Sequence, residues 1–126
     1  REQSLKALTN SANDTKTITE TAKVADFGLS MKTRGTVTER VVDNPIWLAP
    51  ELLSKQPYST ASDVYAFGII ANELFSLDLP FHDCEYHFNH QLEDKIIQGA
   101  RPSIPESVPT ELKKLICECW HQDPAK

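Results

Sequence analysis

Thr60-Ala61-Ser62-Asp63-Val64-Tyr65-Ala66-Phe67-Gly68-Ile69-Ile70-Ala71-Asn72-Glu73-Leu74-Phe75-Ser76-Leu77 contains Val64 to Ala71, the longest uninterrupted apolar run of the chain. Ser59, Thr60 and Ser62 offer side-chain oxygens for an N-cap, and Asp63 in the first turn complements the positive end of a helix dipole. A helix is therefore expected over Thr60 to Leu77. Its centre is apolar nearly all round, so it should be buried on most sides. Gly68 costs about 1 kcal/mol against Ala in a helix interior, and a close approach by another element would account for it.

Two further helices lie downstream. Leu92 and Ile96 are four apart in a segment from about Asn89 to Gln98, with Gly99 placed as terminator. From about Thr110 to His121, Leu112, Leu115, Ile116, Cys119 and Trp120 form one stripe, which Asp123-Pro124 ends. Upstream, Lys23-Val24-Ala25 is a short strand candidate closed by Asp26-Phe27-Gly28. Leu29 to Pro50 shows no sustained period and reads as a long loop, a kind that tends to be functional or disordered. Thr9 to Thr21 holds five threonines and one large apolar residue, Ile18. It has little to bury against its ordering entropy, so residues 1–21 are expected to be a polar loop or frayed insertion.

Composition narrows the function classes. Leu, Ile, Val and Phe make up 31 of 126 residues, about 25%, above the roughly 20% below which a chain is expected to be disordered. No run approaches the roughly 18 residues of a membrane span, so membrane insertion is not expected. The net charge is −5, and residues 41–126 carry six basic and thirteen acidic side chains, a net of −7. This balance argues against a nucleic-acid surface. Three cysteines without a framework spacing suit reduced thiols, and a cytoplasmic location is expected.

Asp26-Phe27-Gly28 acquires weight from its company. Ala49-Pro50-Glu51 begins 23 residues after Asp26, led by Pro45-Ile46-Trp47-Leu48. Ser62-Asp63-Val64-Tyr65-Ala66-Phe67-Gly68, Pro80-Phe81, Gly99-Ala100-Arg101-Pro102 and Cys119-Trp120-His121-Gln122-Asp123-Pro124 follow in order. In this order the set resembles the C-terminal lobe of a eukaryotic protein kinase, within the tyrosine-kinase-like group and nearest its Roco (leucine-rich-repeat kinase) branch. The resemblance covers residues 22–126. It implies a mainly α fold, the incomplete C-terminal lobe of the kinase α+β fold, with one or two short strands before the activation loop.

The resemblance also assigns roles. ATP and Mg2+ would be the cofactors and a protein the substrate. Asp26 would be the magnesium ligand, because a hard cation bridging phosphates needs a carboxylate at the cleft. Phe27 would pack into the core and orient Asp26, and Gly28 would let the backbone turn. Leu29–Leu48 would be the activation loop, with Ser30, Thr33, Thr36 and Thr38 as phosphorylation candidates near Lys32, Arg34 and Arg40. Asn44, Pro45, Ile46 and Trp47 would hold the substrate beside its acceptor hydroxyl. Asp43-Asn44 stands where many Ser/Thr kinases carry Gly-Thr, yet Asn44 still offers an amide. Trp47 suits packing more than contact. Glu51 and Asp63 would be structural, the first pairing with an Arg after the last helix and the second accepting backbone N–H groups of the catalytic loop. Arg101 and Trp120 would be structural too.

A Gly-rich loop, a nucleotide-contacting Lys and a His-Arg-Asp loop do not occur in this sequence. The chain is therefore expected to be part of a kinase domain whose N-lobe and catalytic loop come from the same parent chain, and to be inactive alone. The parent would be an ATP-dependent protein kinase, Ser/Thr rather than Tyr. The alternative is a non-catalytic kinase-like module that presents helices near 60–77 and 110–121. A zinc site from His82, Cys84, His87 and His90 is a third reading, disfavoured because structural zinc usually pairs Cys-x-x-Cys with a distant pair.

Overall fold

The computed structural model describes residues 21–32 and 44–126. It is helical, with no strand among the described residues. Among the described residues four α-helices follow one another: α1 (Pro50–Leu53), α2 (Thr60–Ser76), α3 (Asn89–Ile97) and α4 (Thr110–Cys119). Single 3-10 turns occupy Phe27–Leu29 and Pro45–Trp47. The three long helices lie where the sequence predicts them. Lys23–Ala25, the expected strand, is exposed and takes no strand conformation.

Helix α2 is the axis of the fold. Ser62, Tyr65, Gly68, Ile69, Ala71 and Asn72 form its buried side, and the side facing α4 explains the glycine. A Cβ on Gly68 would stand 2.9 Å from the Cβ of Cys119 and 3.4 Å from both the Ile116 oxygen and the Trp120 nitrogen. The expected burial on most sides is not met, however. Phe67 is 54% and Leu74 68% exposed, and Val64 and Ile70 are open beside them. Among the described residues no element covers this face. Leu77 ends the helix in the left-handed region, φ 59°, and returns its N–H to the Glu73 carbonyl.

Helix α3 starts with Gln91 Oε1 accepting from the backbone N–H groups of His87 (2.7 Å) and Phe88 (3.3 Å). It ends in a Schellman motif: Gly99 takes φ 100°, its N–H meets Ile96 O, and Ala100 N–H meets Lys95 O. The positive φ explains the glycine at this stop. In α4, Ile116 and Trp120 are buried and Leu112 and Cys119 half-buried, while Leu115 is 45% exposed at the edge of the predicted stripe.

One core joins these pieces. Leu48, Ala49, Leu52, Tyr65, Ile69, Phe81, Leu92, Ile96, Val108, Ile116 and Trp120 are all buried in it, and Ile46, Trp47 and Tyr58 pack against it. The Pro45–Trp47 turn packs on α2 and α3, and α1 packs on α3. The loop after residue 43 is thereby anchored on the helices rather than left free.

Candidate functional site

Asp26 sits in the left-handed region, φ 63° and ψ 70°, which Asp tolerates better than most residues. Its Oδ1 is 3.5 Å from the Gly28 nitrogen, a long and weak cap of the Phe27–Leu29 turn. The carboxylate therefore keeps lone pairs for another partner. It opens on a cavity of about 370 Å3 that Ser30, Tyr58, Ser59 and Asp63 also line. Leu29 and Met31 line it too, so two carboxylates and three hydroxyls share this cavity with apolar side chains. A carboxylate of this kind can supply one oxygen ligand to a hard cation. Among the described residues no three His, Cys, Asp or Glu side chains converge into a metal site. This applies equally to His82, Cys84, His87 and His90.

Phe27 does not pack into the core; it is 67% exposed. All of residues 21–32 are exposed, so no apolar surface is described against which its ring can close. Thr33, Thr36 and Thr38 lie outside the described residues, as do Arg34, Arg40, Asp43 and residues 1–20.

Asn44 caps the Pro45–Trp47 turn. Its Oδ1 accepts from Ile46 N–H at 3.2 Å, and Leu48 N–H closes the turn on Pro45 O at 3.0 Å. The cap fixes which end of the amide does what: the oxygen is occupied, and the Nδ2 hydrogens have no described partner. Pro45 is buried, and Ile46 and Trp47 are half-buried against the core. Trp47 is thus largely a packing residue, as its size suggests.

Glu51 accepts from the Ser62 hydroxyl at 3.0 Å, which ties α1 to the first turn of α2. It also lines a cavity of about 290 Å3 with Glu118, Cys119, His121, Asp123 and Lys126. Burial pushes the Cys119 thiol up, and Glu118 adds to the effect. Asp63 is exposed at the N-terminal end of α2, where the helix dipole favours its charge.

Arg101 and Trp120 are where the sequence predicts structural residues, and Arg101 has the most connections. Its guanidinium lies 5.0 Å from the centre of the Tyr65 ring, a cation–π distance. It donates to the carbonyls of Trp120 (2.8 Å), Ala100 (2.7 Å) and Ile96 (3.3 Å), and to Gln122 Oε1 (2.8 Å). Tyr65 and Gln122 are partners the sequence does not single out. Burial pushes the Tyr65 phenol up to about 12; Arg101 opposes this and Glu51 reinforces it. Its hydroxyl has no hydrogen-bond partner among the described residues.

The sequence matches the family described as protein tyrosine and serine/threonine kinase over residues 11–126. The chain belongs to the protein kinases. Among curated relatives, this kinase chain is 44% identical over 103 residues to the probable serine/threonine-protein kinase roco8 of Dictyostelium discoideum, covering 82% of the chain and 6% of that protein. It is 50% identical over 103 residues to the probable serine/threonine-protein kinase pats1 of the same organism, covering 81% and 3%. A mimivirus protein, the putative serine/threonine-protein kinase/receptor R818 of Acanthamoeba polyphaga mimivirus, is 36% identical over 105 residues, covering 82% and 6%. Roco kinases thus stand among its relatives, as the motif order implies, and the chain spans a small fraction of their length. No helix among the described residues is long and apolar enough to cross a membrane.

Proposed function

We propose that this chain is the C-terminal-lobe part of an ATP-dependent kinase that phosphorylates Ser/Thr hydroxyls of proteins. The observation that carries this reading is the anchoring of the Asn44–Trp47 segment on α2 and α3, with Asp26 and its open carboxylate upstream in the same motif order. Similarity to named serine/threonine kinases supports the choice of hydroxyl.

Mg-ATP supplies the phosphoryl group and the charge that neutralises it. The residues of this chain bind and orient. Asp26 would hold the metal through a carboxylate oxygen, and Gly28 would carry the chain away from it. Asn44 directs amide hydrogens outward while its oxygen holds the turn, so an acceptor hydroxyl or a neighbouring carboxylate meets a fixed donor. Pro45 and Ile46 set the height of that donor above the core. Glu51, through the Ser62 hydroxyl, ties α1 to the start of α2. Ser30, Thr33, Thr36 and Thr38 are the hydroxyls whose phosphorylation would alter the loop. The 126 residues contain neither a His-Arg-Asp nor a Val-Ala-x-Lys motif, so on this reading positioning and charge stabilisation are both missing and the isolated chain transfers no phosphate.

The test is to incubate the full-length parent with Mg-ATP and a degenerate peptide library and identify the phosphorylated amino acid. Phosphoserine or phosphothreonine is expected. Phosphotyrosine alone would overturn the hydroxyl assignment, and no transfer at all would favour a non-catalytic module.

A further inference from the structure

We propose that Arg101 and Gln122 form a clamp that positions the Pro45–Trp47 segment, making them positioning residues for recognition of the protein substrate; the substrate role of that segment rests on the kinase reading above. The last turn of a helix leaves its final carbonyls without partners, and in α3 each of them is accounted for. Asp94 O is taken by Gln98 N–H, Lys95 O by Ala100 N–H and Ile96 O by Gly99 N–H. Ile96 O also receives Arg101 Nη1, and Ile97 O receives Gln122 Nε2 at 2.9 Å.

Gln122 is held at both ends. Its nitrogen donates to α3, and its oxygen accepts from Arg101 Nη2 at 2.8 Å. Arg101 Nε in turn donates to Trp120 O just beyond α4 at 2.8 Å. One guanidinium and one carboxamide therefore join the ends of α3 and α4, while the guanidinium face rests on Tyr65 of α2. Only a planar, multi-donor group spans these partners; an ammonium has neither the fork nor the flat face.

The connection to the substrate segment runs through packing. Helix α3 packs directly on the Pro45–Trp47 turn and on α1, and Tyr65 shares the core with Leu48 and Ala49, which follow that turn. A shift of α3 along its axis, or a loosened Tyr65, moves the surface on which Ile46 and Trp47 rest. None of the bonds that make the clamp involves Asp26, so the nucleotide side should be insensitive to it.

The test uses Arg101→Met, Arg101→Lys and Gln122→Ala in the full-length parent. Gln122 is exposed, so its variant should fold even if the arginine variants do not. Loss of one or two hydrogen bonds to charged or carbonyl groups is expected to raise KM for a peptide substrate about five-fold or more, with KM for ATP within about two-fold. Lysine should not rescue. Independently of activity, the Ile46 and Leu48 amides, which are hydrogen-bonded in the turn, should exchange about ten-fold faster in Gln122→Ala, while those of Ile69 to Asn72 are unchanged. Unchanged exchange at Ile46 and Leu48, or equal rises in both KM values, overturns the clamp. A wild-type parent that transfers no phosphate overturns the kinase reading instead, and the exchange measurement still decides the clamp.

Discussion

Replacing Gly68 by Ala sets two local effects against each other. Helix propensity favours Ala by about 1 kcal/mol. Packing opposes it, since the added Cβ would lie 2.9 Å from the Cys119 Cβ, against roughly 3.5–4.0 Å for a comfortable carbon contact. The two other close atoms, at 3.4 Å, belong to the backbone of Ile116 and Trp120, so no side-chain rotation relieves the clash and the two helices must separate. Overpacking of this kind costs about 1–3 kcal/mol, and Ile116 and Trp120, both buried, lose contacts as the gap opens. The net is a destabilisation of about 1 kcal/mol. It should appear as roughly five-fold faster exchange of the Ile69 to Asn72 amides in the full-length protein. Cys119→Gly, which removes the opposing Cβ, should make the two substitutions less than additive. Slower exchange in Gly68→Ala alone would mean that propensity governs and would refute the close helix approach.

Tyr65→Phe should stabilise the protein by about 1 kcal/mol, because it removes a buried hydroxyl that has no partner among the described residues; a denaturation midpoint no higher than wild type contradicts this. The same variant has a pH signature. The folded phenol titrates at about 12, above its usual 10, so its neutral form is favoured by folding, its contribution is complete below pH 10, and it is lost as the pH rises towards 12. The stability difference between wild type and Tyr65→Phe should therefore be flat up to about pH 10 and move against wild type above it. Asn44→Ala should cost about 1 kcal/mol locally by removing the cap on Ile46 N–H. It should also raise KM for a peptide substrate, with exchange at Ile46 as the structural readout.

Much of the fold is legible in the sequence because it is written in local signals. Gly99 stops α3 where its positive φ is needed, and Asp123-Pro124 lies just past α4. Gly68 sits in an apolar helix for a reason that the Cys119 contact supplies. What escapes a reading of the sequence is non-local. An all-apolar helix announces that it wants partners without saying which faces the described residues cover, and Val64, Phe67, Ile70 and Leu74 stay open. Phe27 has the character of a core residue, yet it is exposed and no described element packs against it. Tyr65 and Gln122 are invisible as partners of Arg101, since a side chain that bonds carbonyls 19 residues away leaves no periodic trace. The motif order locates Asp26 and Asn44, whereas the cap that fixes the Asn44 amide emerges only from the structure.

The most direct measurement is phosphate transfer by the full-length parent with Asp26→Asn, compared with wild type at saturating Mg-ATP and peptide. The substitution keeps the size of the side chain and the acceptor for Gly28 N–H, and removes the charge a metal requires. A fall of about a hundred-fold or more in kcat is expected from losing a metal-holding carboxylate. Transfer at the wild-type rate would contradict the magnesium role of Asp26 and the kinase reading built on it.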